Sequence, residues 1–273
     1  MEELDPFQEG SADLRNAFLD LFRAVHERKR GVVVASSQRC GTHLIGAYLR
    51  ATGVGVPGEH FLSYLNARVG KTAEFEQLKK AVEQVIVGGS GGASDAFSVV
   101  LMRYAQKIGD DLEALGLARS LLSRSMKNLT WIWLRRDWVD VAVSHYFAEK
   151  TGVWESRGGE HIAPPYDAAG IHRWWWHVQV TDAFWERYFA ENAITPIELD
   201  YAQLVKDPLV LTDAVSRAGG NPALLSAAVP PPRMPHAQCK QDYAARFRDY
   251  LAERRSAELF KLHSAGRRSN AVA

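Results

Sequence analysis

The segment that most constrains the fold is residues 32–49, where an apolar run, a short polar turn and an amphipathic stretch follow one another. The apolar run predicts a buried strand at 31–36, and the stretch after the turn predicts a helix from about Gly41 to Thr52. A strand, a turn and a helix in this order point backbone N–H groups and a helix N-terminus at one place, which is a geometry that binds phosphate or sulfate. The segment therefore predicts an α/β fold with a site for an anion.

Strands and helices alternate along the rest of the chain. Three apolar runs predict further strands, and three stretches with helical periodicity predict further helices. They are strands at 97–102, 128–134 and 195–199, and helices at 11–28, 137–150 and 171–192. This alternation implies a parallel sheet with helices on both faces. We expect a single domain over residues 1–273, a P-loop-like parallel sheet flanked by helices, with its core at about 30–260.

Three segments are expected to be irregular. Residues 88–94 have the Gly-rich composition of a flexible surface loop. Residues 151–167 are rich in Gly, Pro and charge without periodicity, which is typical of a lid or a partner-binding loop. The N-terminus and the tail after about Ser264 are expected to be flexible. Ser11 is the expected N-cap of the first helix.

Composition narrows the classes of partner and compartment. Lys+Arg 33 against Asp+Glu 32 argues against nonspecific nucleic-acid binding, so an attraction for anions must come from a local cluster. Cys40 and Cys239 cannot build a disulfide framework, and neither has a second cysteine at metal-ligand spacing. The chain has no apolar stretch of signal-peptide or transmembrane type. We expect a cytoplasmic protein without a membrane span.

The polar turn departs from the nucleotide P-loop. That motif ends in Gly-Lys-Ser/Thr, where the lysine meets the terminal phosphates and the hydroxyl holds magnesium. In this chain Gly41 and Thr42 are followed by His43, and the cation, Arg39, precedes the glycine. Magnesium-dependent ATP hydrolysis is therefore disfavoured, although a P-loop kinase acting on a small molecule stays open as an alternative.

The turn resembles the 5'-phosphosulfate-binding loop of sulfotransferases that use 3'-phosphoadenosine 5'-phosphosulfate (PAPS), and it is most similar to the bacterial trehalose 2-sulfotransferase-like family. The matching residues are Ser37, Gln38, Arg39, Cys40, Gly41, Thr42 and His43. The resemblance implies that the backbone amides and Arg39 bind the 5'-phosphosulfate. It also implies a catalytic role for Arg39, which would offset charge on the leaving phosphate.

A second motif resembles the part of these enzymes that binds the 3'-phosphate of PAPS. There an arginine at the end of a strand and a serine eight residues later bind the phosphate, and Arg136 and Ser144 have that spacing. An arginine fork and a hydroxyl offer several donors to one phosphate. Lys240 and Arg233 lie in or near a segment that resembles one covering the nucleotide in relatives, so both are expected to contact the donor.

A third motif, residues 55–61, resembles the family's Gly-x-Pro-x-Glu-x-Phe segment, in which the glutamate is the proposed general base. Glu59 is the matching residue. A carboxylate within hydrogen-bond reach of the acceptor hydroxyl can take its proton as the oxygen attacks sulfur. His60 and His43 are rival bases, because histidine titrates near neutral pH.

Together these resemblances imply a PAPS-dependent sulfotransferase that moves a sulfuryl group to a hydroxyl of a carbohydrate or glycosylated small molecule by in-line displacement, without a metal. Because relatives are often dimers, the resemblance also implies a homodimer. The chain departs from the family at Val100, where relatives often have lysine. A noncatalytic relative that retains the nucleotide pocket is therefore a further alternative.

Overall fold

The computed structural model describes residues 7–69, 75–91, 95–154, 162–226 and 236–269. The strand, turn and helix predicted around Arg39 are present. In chain order the elements are α1 Phe7–His26, β1 Val32–Ser36, α2 Thr42–Ala51, α3 Phe61–Val69, α4 Phe75–Ser90, β2 Val99–Leu101, α5 Tyr104–Ala114, α6 Leu121–Ser125, β3 Thr130–Arg135, α7 Trp138–Thr151, α8 Ala168–Glu191, β4 Ile197–Asp200, α9 Tyr201–Lys206, α10 Thr212–Arg217 and α11 Ala237–Ser269.

The four strands form one parallel sheet in the order β2-β1-β3-β4. The central strand β1 is buried along its whole length, with Val33 opposite Val99 on one side and Trp131 on the other. Burial on both faces explains why β1 is a continuous apolar run rather than an alternating one. The predicted α/β fold with a parallel sheet is confirmed.

The chain divides into two compact units. The first comprises Met1–Arg136 and Val180–Pro231, and it contains all four strands. The second comprises Asp137–Gln179 and Pro232–Ala273. Each unit is assembled from two separate stretches of sequence, and the expectation of a single domain stays a prediction.

The core of the first unit lies between the sheet and one apolar face of α1. Leu14, Phe18 and Phe22 on that face are buried, and the ring of Phe18 packs edge-on against that of Tyr64, with 5.4 Å between centroids. Removing such side chains from water contributes about 1.5–3 kcal/mol each. The face fixes α1 against the elements that follow it.

The predicted loop at 88–94 is partly wrong, because Gly88 to Ser90 form the last turn of α4. A Cβ at Gly89 would lie 2.4 Å from Cε2 of Phe97, and one at Gly88 would lie 2.6 Å from Nδ1 of His60. The glycines therefore serve close packing of a helix, which their loop-like composition conceals. Residues 92–94 lie outside the described residues.

Two helix ends differ from the sequence prediction. Because α1 begins at Phe7, Ser11 lies inside the helix and is not its N-cap. The backbone of α11 is helical to Ser269, past the predicted start of a flexible tail near Ser264. Of the predicted loop at 151–167, residues 155–161 lie outside the described part of the chain.

In the second unit, α7 packs against α11. Asp137 caps α7 by accepting hydrogen bonds from the N–H groups of Val139 and Asp140, both at 3.0 Å. The ring of Trp174 stacks on His145 with 4.4 Å between centroids. Among the described residues, no helix combines the length and apolar character that crossing a membrane requires.

Candidate functional site

The candidate site is the turn of residues 37–41, at the carboxyl end of the parallel sheet, where open α/β sheets bind ligands. The turn is strained at Arg39, which has φ 66°, whereas Gly41 has φ 100°, in a region that glycine adopts readily. A non-glycine residue at positive φ costs on the order of 1–3 kcal/mol, and such strain clusters at ligand sites. A Cβ at Gly41 would lie 2.3 Å from the ring carbons Cδ2 and Cε2 of Tyr201, so only glycine fits.

Gly41 leads directly into α2. Its carbonyl accepts hydrogen bonds from the N–H groups of Leu44 and Ile45, at 3.0 and 3.2 Å, which start the helix. The first N–H groups of a helix have no partner within it, and the helix dipole makes this end positive. Thr42 is buried and His43 is exposed. The N-terminus of α2 thus favours a negative charge at the turn.

Two guanidinium groups add to this positive end. Nη1 of Arg136 donates a hydrogen bond to the carbonyl oxygen of Arg39 at 3.2 Å, and its guanidinium carbon lies 4.6 Å from the ring centroid of Tyr201. Burial, and then the charge of Arg136, lower the pKa of Arg39. Because the two like charges repel each other, a bound anion would stabilise both.

Side chains of α8 form hydrogen bonds with the first residue of the turn and with the residue before it. Ser37 is buried and its Oγ donates to Oδ1 of Asp182 at 3.5 Å, while Nε1 of Trp185 donates to the carbonyl of Ser36 at 3.2 Å. Asp182 also pairs with Arg135, with 3.6 Å between Nη2 and Oδ2. Ser37, a predicted donor-binding residue, therefore uses its hydroxyl to anchor the turn.

Cys40 is buried within the turn. Burial, and next the charge of Asp182, raise the pKa of its thiol to about 12. The thiol is therefore protonated at neutral pH and unsuited to act as a nucleophile. Its side chain packs in the core, which leaves its backbone as the part that could contact an anion.

The predicted base is connected to the turn through a tyrosine. Nε2 of Gln38 donates to Oη of Tyr104 at 3.1 Å, and Oη of Tyr104 donates to Oε2 of Glu59 at 3.3 Å. Burial, and then the charge of Glu59, raise the pKa of Tyr104, which keeps its hydroxyl protonated. The structure thus links Glu59 to the turn of residues 37–41, the anion turn, through a series of two hydrogen bonds.

The rival base His60 faces the backbone. Its Nε2 lies 2.9 Å from the carbonyl oxygen of Val56, so this nitrogen carries the proton and donates it. Burial lowers the pKa of His60, which favours the neutral ring. These contacts favour Glu59 over His60 as the base, while His43 is an exposed residue in the first turn of α2.

Val100, at the position where relatives often have lysine, lies in the middle of β2. Its side chain is buried, and its N–H donates to the carbonyl of Gly58 at 2.8 Å. This hydrogen bond ties the segment that carries Glu59 to the sheet. Val100 therefore positions backbone and contributes no charge.

The predicted site residues fall in both units. The first unit brings together residues 37–43, Glu59 and Arg136. Ser144, buried in α7, and Lys240, near the start of α11 with its Nζ 5.3 Å from the ring centroid of Phe147, belong to the second unit. Arg233 lies outside the described residues.

Two contributors were missed in the sequence. Tyr104 follows directly after the predicted strand 97–102, and the parallel pairing of β1 and β2 puts the end of that strand beside the turn. Asp182 is an acid on the buried face of α8, three residues before Trp185 and seven before Phe189, both of which are buried. This helical spacing is the signal that places Asp182 on the buried face, and a buried carboxylate needs a partner.

A cleft of about 570 Å³ lies at the other edge of the sheet. Its lining includes Thr130 and Ile197, the first residues of β3 and β4. Because ligands of open α/β sheets bind at the carboxyl ends of the strands, the turn is the better candidate. Within the described ranges, no group of three or more His, Cys, Asp or Glu side chains could hold a metal ion.

A family model described as Stf0 sulphotransferase matches residues 31–250 of the chain. The matched region begins immediately before β1 and ends within α11, so it includes the whole sheet, the turn and every predicted site residue. No curated protein matches the sequence significantly.

Proposed function

Because the chain belongs to the Stf0 sulphotransferase family, we propose that it transfers the sulfuryl group of PAPS to a hydroxyl of a carbohydrate or a glycosylated small molecule. The family makes the chain a transferase of sulfuryl groups. The observation that carries the choice of donor is the strained turn before α2, where Arg39 and Arg136 bring two positive charges to a helix N-terminus.

The donor, PAPS, supplies a sulfuryl group on a phosphate that leaves readily. We assign the backbone of residues 37–43 and the guanidinium of Arg39 to its 5'-phosphosulfate. Arg136 is assigned to the 3'-phosphate together with Ser144, and Lys240 to the nucleotide. The contact between Arg136 and the carbonyl of Arg39 supports neighbouring sites for two anionic groups, as PAPS requires.

In the proposed reaction, the acceptor oxygen attacks sulfur in line with the bond to the 5'-phosphate oxygen. The new O–S bond forms as the old S–O bond breaks, and Glu59 takes the hydroxyl proton. The leaving phosphate gains negative charge, which Arg39 and the amides of the turn stabilise. Arginine charges therefore supply what a metal ion supplies in many phosphoryl transfers.

Thermal denaturation with two nucleotides tests the donor assignment. We expect 3'-phosphoadenosine 5'-phosphate to raise the melting temperature, since a ligand at about 100 times its Kd stabilises a protein by about 2.7 kcal/mol. Arg39→Ala should lose most of this rise. Arg217→Ala is the matched control, because Arg217 pairs with Asp213 on the surface of α10. Stabilisation by ATP with magnesium alone would refute the proposal in favour of a kinase.

Transfer itself is measured by mass spectrometry with PAPS and a panel of hydroxyl acceptors that includes trehalose and glycosylated small molecules. A sulfated product is the expected result, and its fragments identify the acceptor class. Nucleotide binding without any sulfated product would contradict the proposed activity and support a noncatalytic relative.

The proposal includes a cytoplasmic homodimer. Cys40 and Cys239 are both free thiols, as expected in a reducing compartment. The dimer rests on the resemblance to the family. Size-exclusion chromatography with light scattering should give twice the mass of the chain, and a monomer mass would remove this part of the proposal.

A further inference from the structure

The chain of hydrogen bonds from Gln38 through Tyr104 to Glu59 has a defined direction. A tyrosine hydroxyl carries one proton, so it can donate one hydrogen bond. Nε2 of Gln38 is itself a donor and occupies an acceptor position on the Tyr104 oxygen at 3.1 Å. The single proton of Tyr104 is therefore available to Oε2 of Glu59, 3.3 Å away.

A donated hydrogen bond favours the ionised form of a carboxyl group. An ionised carboxylate only accepts hydrogen bonds, and it is the form that can remove a proton from an acceptor hydroxyl. The arrangement thus suits Glu59 as a base rather than as an acid. His60, the neighbouring titratable group, is turned toward the carbonyl of Val56 instead.

The three residues come from three different segments. Gln38 belongs to the anion turn that follows β1, Tyr104 begins α5 just after β2, and Glu59 lies in the segment tied to β2 through the hydrogen bond from Val100 N–H to Gly58. Since β1 and β2 are parallel neighbours, their carboxyl ends meet at one edge. Gln38 is also next to Arg39, so this series of hydrogen bonds begins beside the proposed phosphosulfate site.

We propose that Tyr104 is a positioning residue, which holds the carboxylate of Glu59 ionised and oriented toward the acceptor, and that Gln38 couples this orientation to the anion turn. The inference rests on the proposed function of Glu59 as general base. Tyr104 keeps its proton across neutral pH because burial and the charge of Glu59 disfavour its ionisation. Loss of its hydroxyl should impair the chemical step and spare binding of the donor.

Tyr104→Phe tests the proposal, because it removes the hydroxyl and keeps the ring. We expect kcat to fall by about ten- to a hundred-fold, as loss of orientation does in other enzymes, with the Kd for 3'-phosphoadenosine 5'-phosphate within about two-fold of wild type. The acidic limb of the pH profile of kcat should move to higher pH by about one unit, since the carboxylate loses a donor. A drop in kcat without this movement would assign Tyr104 a merely structural role and overturn the proposal.

The matched control is Tyr64→Phe. Oη of Tyr64 also donates to a buried carboxylate, that of Asp111, at 2.7 Å. This variant should lose stability and leave the acidic limb of the pH profile in place. An equal movement in both variants would count against a specific role for Tyr104.

A second measurement separates this inference from the proposed function, because it needs no acceptor. In protein carrying ¹³C at the glutamate side-chain carboxyls, the Glu59 signal is identified by its absence in Glu59→Gln. Its titration midpoint should lie at higher pH in Tyr104→Phe than in wild type. Equal midpoints would overturn the inference, whereas absence of sulfuryl transfer by the wild-type protein would refute the proposed function alone.

Discussion

Arg39 and Arg136 concentrate positive charge on a few backbone atoms. Arg39 sits at positive φ, is partly buried, and has its carbonyl bound by the second guanidinium. The positive φ, the burial of the Arg39 guanidinium and its repulsion by the charge of Arg136 each cost free energy in the unliganded protein. A site that is destabilised without its ligand gains stability when an anion binds, which is a common exchange of stability for function.

At the same scale, Glu59→Gln keeps the size of the side chain and removes its basicity. We expect turnover to fall by about a hundred-fold or more, because general base catalysis contributes about 10²–10⁴-fold. Binding of 3'-phosphoadenosine 5'-phosphate, measured by calorimetry, should stay unchanged.

Glu113→Gln is the matched control for this prediction. Glu113 lies on α5 and pairs with Arg119 at 3.4 Å, with both side chains exposed. It should keep full activity. Full activity in Glu59→Gln as well would leave the role of base to another residue, such as His43.

At the scale of elements, the turn between β1 and α2 depends on Gly41 for two reasons. Its φ of 100° is one that residues with a Cβ rarely adopt, and the ring of Tyr201 occupies the place of that Cβ. The helix that follows begins on the Gly41 carbonyl. The geometry of the anion site and the start of α2 are thus set by one residue.

Alanine substitutions of the glycines near the two ends of α2 distinguish backbone strain from the steric conflict with Tyr201. Gly53, just beyond α2, also has positive φ, at 77°, but nothing lies within 4 Å of its Cβ position. Gly53→Ala should cost about 1–2 kcal/mol of unfolding free energy from strain alone. Gly41→Ala should cost about 2–5 kcal/mol, since overpacking against Tyr201 is added.

Urea unfolding of the two variants measures the difference. Gly41→Ala should also weaken nucleotide binding, whereas Gly53→Ala should not. Equal losses of stability would mean that Tyr201 moves away at little cost.

The elements that carry the site could be predicted because their patterns are local. The apolar run of β1, the turn after it and the start of α7 after its cap Asp137 depend on neighbouring residues, and each lies within a few residues of its predicted position. The helical conformation of Gly88 to Ser90 could not be predicted, because it is favoured by close packing against His60 and Phe97, which lie in other segments of the chain. Packing overrode composition there.

The same distinction applies to the site. Arg39 and Glu59 could be found from motifs, because they lie in short segments with characteristic spacing. Tyr104 and Asp182 could not be assigned roles, since each acts through a contact that exists only after the sheet has formed and α8 has packed. Tertiary contacts between distant segments leave no local pattern that identifies both partners.

At the scale of the whole molecule, chelation of metal ions tests whether protein groups alone stabilise the negative charge that develops on the leaving phosphate. The proposed mechanism uses the guanidinium of Arg39 and backbone amides. We therefore expect sulfuryl transfer to proceed in excess EDTA at a rate within about two-fold of the untreated protein. Loss of sulfuryl transfer that magnesium restores would contradict the proposed mechanism, because a metal ion would then share this stabilisation.

The ring of Tyr201 limits how the sequence can vary during evolution. It fills the space that a side chain at position 41 would need and lies under the guanidinium of Arg136 at 4.6 Å. A small residue at 201 would remove the steric conflict with a side chain at position 41, leaving only the strain of its φ of 100°, and would in the same step deprive Arg136 of its aromatic partner. Positions 136 and 201 should therefore change together among descendants of this chain. Compared with Gly41→Ala alone, a variant with alanine at both 41 and 201 should regain part of the lost stability while its nucleotide binding stays weak.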